Sequence, residues 1–108
     1  MKENYDFVAQ LKYHTFDEGG RSTPAKSGYR PHIKFDFDEN LTSGRQIFIG
    51  RELVFPGEYV DAEITILSPE LFEHKLFEGL DFKFFEGSHL IGTGKILHIK
   101  NEILIKKT

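Results

Sequence analysis

Apolar and polar side chains alternate strictly through the stretch Val60-Asp61-Ala62-Glu63-Ile64-Thr65-Ile66. Because successive side chains of a β-strand point to opposite faces, this period of two predicts a strand with one face on a core and the other in water. The charged outer face favours an antiparallel sheet, since parallel strands are usually apolar on both faces. The stretch therefore predicts an antiparallel β structure.

The same alternation recurs in three other stretches, which lie at residues 7–14, 32–38 and 80–84. Gly- and Pro-rich segments separate the stretches. They include a long loop at 17–31, a hairpin turn at 86–89 and the tight turn Phe55-Pro56-Gly57-Glu58, with Pro and Gly at its two central positions. Half a dozen short strands with almost no helix predict a small closed barrel or a sandwich.

A chain of 108 residues predicts one domain over 1–108, with a core at about 5–100. The tail, 101–108, alternates weakly, which is typical either of a short added strand or of a frayed end. Only 68–76 carries helix start signals, and it is short enough to form a single turn instead. We expect a cytoplasmic protein, because neither a secretory signal nor a membrane-spanning run is visible.

The composition is strongly aromatic, with 11 Phe and 4 Tyr but no Trp and no Cys. In a small closed barrel side chains fill the lumen, and we expect the phenylalanines to provide that filling. The lack of cysteine excludes disulfide scaffolds, Cys-based zinc sites and thiol catalysis. The net charge of −3 argues against a protein that holds nucleic acid mainly by phosphate neutralisation, but it leaves room for a local basic patch.

The motifs of catalysis are missing from the sequence. Gly92-Thr93-Gly94-Lys95 is similar to the end of a phosphate-binding loop, but Ile96 follows where Ser or Thr is required, so we expect a strand that bends there. The five histidines lack metal-ligand spacing, and no serine lies in a G-x-S-x-G turn. We therefore expect no catalytic residue, no metal, no cofactor and no nucleotide, and hence no enzyme.

Several motifs occur together in one order: Gly19-Gly20-Arg21-Ser22-Thr23-Pro24, Gly28-Tyr29-Arg30-Pro31, Phe55-Pro56-Gly57-Glu58, Glu86-Gly87 and Ile91-Gly92-Thr93-Gly94. Over about 7–99 the chain resembles the C-terminal β-barrel domain (domain 3) of translation elongation factor EF-Tu. The resemblance implies a closed six-stranded antiparallel barrel of Greek-key type. It also implies a stand-alone copy of that domain, because the chain contains no GTPase motif.

In the family, one face of this domain contacts the T-stem of aminoacyl-tRNA, and another meets the GTPase domain and the exchange factor. The matching positions here are Arg21, Thr23, Glu86 and Gly87. Four positions depart from the family pattern: Ser22 replaces His, His32 replaces Gln, and Phe85 and His89 each replace Arg. Two cations of the tRNA face are thus lost, which lowers the electrostatic part of any affinity for RNA.

Two hypotheses follow. The first is a non-enzymatic protein-interaction module for a translation factor or for a protein that recognises EF-Tu, with Phe85 as an exposed aromatic anchor. The alternative is a weak tRNA- or RNA-binding barrel of the translation apparatus. Its basic side chains would be Arg21, Lys26, Arg30 and His32, with Lys95 as a further candidate. We further expect Arg30 to stack on Tyr29 or to pair with a carboxylate. The candidate binding residues are Arg21, Ser22, Thr23, Lys26, Tyr29, Arg30, His32, Phe85, Glu86, Gly87 and His89.

Overall fold

The computed structural model describes residues 4–107, and within them six strands close into an antiparallel barrel. Strands are numbered in chain order, and β2 and β5 lie outside the barrel. The barrel strands are β1 Phe7–Tyr13, β3 His32–Phe35, β4 Thr42–Phe48, β6 Tyr59–Ile66, β7 Asp81–Glu86 and β8 His89–Ile99. The short strands β2 Ala25–Lys26 and β5 Leu53–Val54 form a separate two-stranded ribbon. Two 3-10 turns, Pro69–Phe72 and Glu102–Leu104, complete the regular structure of the described chain.

The order of strands around the barrel is β1-β6-β4-β3-β7-β8, and β8 pairs with β1 to close it. Strands β3, β4 and β6 form a meander. Strand β1, which precedes them in the chain, pairs with the last of the three, β6, and this is a Greek-key arrangement. The predicted all-β, closed six-stranded antiparallel barrel is therefore confirmed. The part of the chain that the structure describes contains no helix with the length and apolar character needed to cross a membrane.

Aromatic rings fill the barrel, as the composition predicted. Phe7, Phe35 and Phe82 are at most 1% exposed, and their ring centroids lie 5.9–6.2 Å apart. Gly94 lies directly opposite Phe82 in the β7–β8 pairing, and a Cβ at this glycine would come within 2.2 Å of the Phe82 ring. The glycine thus makes room for a phenylalanine, and the bend expected at this glycine stays a prediction.

The turn at 55–58 has the predicted geometry. Gly57 has φ +90°, and the Glu58 N–H donates to the Phe55 carbonyl oxygen at 3.0 Å, as in a type II turn. In 68–76 the structure has the single 3-10 turn Pro69–Phe72 rather than a longer helix.

Two boundaries differ from the sequence-based expectation. Strand β3 ends at Phe35 instead of continuing through 32–38, because the chain turns there and the Asp38 N–H donates to the Phe35 carbonyl oxygen at 3.1 Å. Within 101–107 the tail is neither a regular strand nor a frayed end, and Ile105 makes an isolated parallel β-bridge with Leu76. Leu104, in its 3-10 turn, is fully buried, so the core extends beyond residue 100.

Candidate functional site

Two segments that are distant in the sequence meet at one end of the barrel: the loop 19–31 and the β7–β8 hairpin. The Nη1 atom of Arg21, in the loop, donates to Oε2 of Glu86, the last residue of β7. The Tyr29 hydroxyl donates to the same carboxylate oxygen. The Arg21 guanidinium also lies over the Tyr29 ring, 5.0 Å from its centroid. We call these three side chains the loop–hairpin clamp.

The remaining hydrogen bonds of Arg21 are made within its own loop. Its Nε donates to the Thr23 carbonyl oxygen at 3.2 Å, and its Nη2 donates to Thr23 Oγ1 at 3.1 Å and to the Pro24 carbonyl oxygen at 3.2 Å. Only 20% of the side chain is exposed. Because the guanidinium donors have a fixed planar arrangement, these contacts orient the group toward the protein. In this conformation Arg21 holds the loop and does not present its charge to a phosphate.

The expected stacking of Arg30 on Tyr29 is wrong, because the cation on that ring is Arg21. Arg30 is exposed, whereas Tyr29 is half-buried and forms a β-bridge with Gln46. Successive side chains of an extended chain point to opposite sides, which separates the two neighbours.

Phe85, predicted to be an exposed aromatic anchor, is half-buried in the structure, and its role in binding stays a prediction. It lies on β7 between His32 of β3 and Leu90 of β8. The other predicted residues around the clamp are exposed, and they are Ser22, Thr23, His32, Gly87 and His89. His89 also approaches the loop, because its Nε2 lies 3.5 Å from the Gly20 carbonyl oxygen.

Two predicted cations are not part of the clamp. Lys26 is exposed on the β2–β5 ribbon, opposite Leu53. Lys95 lies on the outer wall of the barrel, where its ammonium group is 3.0 Å from an Asp81 carboxylate oxygen. The structure therefore brings residues of the loop and the hairpin together. Lys26 is linked to them through its carbonyl oxygen, which accepts from the Tyr29 N–H at 3.1 Å, whereas Lys95 is paired with Asp81 instead.

A buried polar pair underlies the clamp, and sequence reasoning did not find it. Tyr13, 1% exposed, donates its hydroxyl hydrogen to Oε1 of Gln46, which is fully buried. The Gln46 backbone also fixes the loop: its N–H donates to the Tyr29 carbonyl oxygen at 2.8 Å and its carbonyl accepts from Gly28 N–H at 2.7 Å. The Gln46 side-chain nitrogen is buried without a hydrogen-bond partner among residues 4–107. The only signal in the sequence was an amide in the apolar phase of a strand.

A groove of about 650 Å³ lies next to this face, and its lining combines leucines with polar side chains that include His32, Asp38 and Lys75. We call it the leucine groove, because Leu41, Leu67 and Leu71 line it and are 50%, 60% and 67% exposed. Leu67 follows the buried Ile66, so the alternation of β6 places it outward, and this signal was present in the sequence. Two lining residues of the groove are joined by a backbone hydrogen bond, because the Leu67 N–H donates to the Ser43 carbonyl oxygen at 3.0 Å.

Stability should fall at high pH, because the clamp region contains two neutral tyrosines. Burial raises the pKa of the Tyr13 hydroxyl, and burial followed by the hydrogen bond to Glu86 raises the pKa of Tyr29. Below pH ~10, the ordinary tyrosine pKa, the stability that the two neutral tyrosines contribute is fully present. Above it the unfolded chain releases protons that the folded chain keeps, so the free energy of unfolding falls by up to about 1.4 kcal/mol per pH unit for each tyrosine.

Urea unfolding at pH 8 and pH 11 measures this loss, and Tyr13→Phe should reduce it. An identical loss in the wild type and in Tyr13→Phe would show that Tyr13 does not cause it.

The sequence matches no protein-family model. Among residues 4–107 no group of three or more His, Asp or Glu side chains is arranged to hold a metal ion. This face therefore combines a polar loop, which the clamp holds to the β7–β8 hairpin, with a neighbouring groove that contains three exposed leucines.

Proposed function

We propose that this chain is a non-enzymatic protein-interaction module that resembles EF-Tu domain 3 and engages a translation factor or a protein that recognises one. The leucine groove supports the proposal most directly. Three leucines, each at least half exposed, lie in one depression beside the loop and hairpin that carry the resemblance. Contiguous exposed apolar surface with a polar rim is typical of protein-binding sites.

The state of the cations at this face supports a protein ligand over tRNA. Arg21, the matching cation of the family's tRNA face, is committed to Glu86 and to its own loop. The positions of two further family cations are Phe85 and His89. Exposed Lys26 and Arg30 remain for the alternative, a weak tRNA contact, and filter binding of tRNA at two salt concentrations tests it.

Leu71→Glu should abolish partner binding without unfolding the barrel. Leu71 is 67% exposed, so the substitution removes little buried surface but places a charge in the groove. Leu97→Glu is the matched control, because Leu97 is 43% exposed on β8 and does not line the groove. The first measurement titrates the purified EF-Tu GTPase domain and exchange factor of the source organism onto the immobilised barrel. The second is affinity capture from lysate, with the wild type, Leu71→Glu and Leu97→Glu as the three baits.

A protein retained by the wild type and by Leu97→Glu, but lost with Leu71→Glu, is the expected result. The proposal is contradicted when no protein is retained at physiological salt, or when the same proteins are retained by all three baits.

A further inference from the structure

Five side chains form one row across the outer wall of the barrel. The strand pairings place Tyr59 of β6 opposite Lys12 of β1, and Lys12 opposite Thr93 of β8. Thr93 lies opposite Lys83 of β7, which in turn lies opposite Lys34 of β3. With neighbouring strands spaced at ~4.8 Å, this lysine row extends for roughly 19 Å. It shares no residue with the leucine groove or with the clamp.

Two lysines of the row are direct neighbours, an arrangement that does not stabilise the fold. Lys34 and Lys83 are direct cross-strand partners, and like charges in such positions destabilise a sheet. Lys34 has one distant counter-charge, Glu39 at 3.9 Å, and that carboxylate side chain is 96% exposed. Lys83 is exposed and has no carboxylate of residues 4–107 within ion-pair distance. An anionic ligand would relieve the repulsion between the two ammonium groups.

An aromatic side chain ends the row. Tyr59 is 58% exposed, and the Lys12 ammonium lies 5.7 Å from its ring centroid. Tyr59, Lys12, Lys83 and Thr93 line a depression of about 470 Å³ on the barrel wall, which Asp36, Asp81 and Lys95 of the neighbouring row also line. An exposed ring beside aligned cations is the combination that binds single-stranded nucleic acid, because bases stack on the ring while phosphates meet the cations.

The neighbouring row limits the width of the ligand. It consists of Asp61, Gln10, Lys95, Asp81 and the segment at Asp36. Its single cation, Lys95, is already paired with Asp81 at 3.0 Å. Carboxylates on this flank would repel the second phosphate strand of a duplex, whereas one strand can follow the lysines.

We propose that the lysine row binds an extended single strand of nucleic acid, with one base stacked on Tyr59 and phosphates at Lys12, Lys83 and Lys34. Three phosphate contacts by a single strand predict a slope of about −2 for log K against log salt concentration. This ligand and this face differ from the tRNA contact that the resemblance implies, and they are independent of the proposed protein partner.

Fluorescence anisotropy with a labelled 12-nucleotide oligouridine, between 20 and 150 mM salt, tests the proposal. Lys83→Gln should weaken binding and reduce the salt slope by about 0.7. Tyr59→Ala should weaken it roughly tenfold. Lys107→Gln removes the same charge from the exposed tail, and it should bind as the wild type does. Leu71→Glu should also bind normally, which separates this site from the leucine groove.

Thermal unfolding shows that the variant is folded. Lys83→Gln removes the repulsion with Lys34, so its melting temperature should equal or exceed that of the wild type while binding falls. Three results would overturn the proposal: no oligouridine binding at 20 mM salt, an equal loss with Lys107→Gln, or tighter binding of a 12-base-pair duplex. The proposal would also be overturned, in favour of an acidic peptide, if polyglutamate displaced the labelled oligouridine at a lower concentration of negative charges than unlabelled oligouridine does.

Discussion

Phe82→Ala should lower the free energy of unfolding by roughly 3–5 kcal/mol, a large part of the ~5–15 kcal/mol typical of a domain. Phe82 is 1% exposed, and its ring packs 5.9 Å from the rings of both Phe7 and Phe35. Its removal leaves a cavity in the centre of the lumen, which the closed strand ladder around it cannot collapse to fill. Urea unfolding followed by circular dichroism measures the change.

The same contact predicts a second, coupled effect at Gly94. In Gly94→Ala the new Cβ would meet the Phe82 ring at 2.2 Å, so we expect a loss of about 2 kcal/mol from overpacking. Combining Gly94→Ala with Phe82→Leu should cost less than the sum of the two single changes, because the smaller side chain accepts the methyl group. Thr93→Ala, which changes the outward-facing neighbour, is the control and should have little effect. Strictly additive costs would contradict the packing of Gly94 against Phe82.

The fold was predictable from local pattern, but the packing was not. Alternation at 60–66 and 7–14 identified strands whose inward residues are buried. The same alternation misassigned Phe37, which has the right phase but is 46% exposed because the chain turns after Phe35. The match of Gly94 with Phe82 depends on the register between β7 and β8, and one sequence does not specify that register uniquely.

The candidate site shows the same division. The resemblance selected Arg21 and Glu86 separately, but only the folded chain shows that they bind each other. Adjacency in the sequence suggested Arg30 as the partner of Tyr29, whereas the loop folds back to supply Arg21. The lysine row was not predictable from the sequence, because Lys34 and Lys83 become neighbours only through the pairing of β3 with β7.

Tyr13→Phe should destabilise the barrel by about 2 kcal/mol, although it removes only one oxygen atom. The hydroxyl is the hydrogen-bond donor to Gln46 Oε1, and the Gln46 side-chain nitrogen already lacks a partner. The substitution would leave a fully buried amide with neither polar atom satisfied, and an unpaired buried polar group costs roughly 1–3 kcal/mol. Chemical denaturation at pH 7, where the tyrosine is neutral, measures this cost.

Combining Tyr13→Phe with Gln46→Met should restore stability to the wild-type level or above it. Replacing both partners by apolar groups of similar shape removes the unsatisfied atoms, and the flexible Met side chain can fill the space of the amide. The loop should stay in place, because the bonds from Gln46 to Gly28 and Tyr29 are made by backbone atoms that the substitution retains. A double variant less stable than Tyr13→Phe alone would mean that the amide nitrogen is satisfied in solution, by ordered water. The buried pair would then be a hydrated network rather than a polar defect under the clamp.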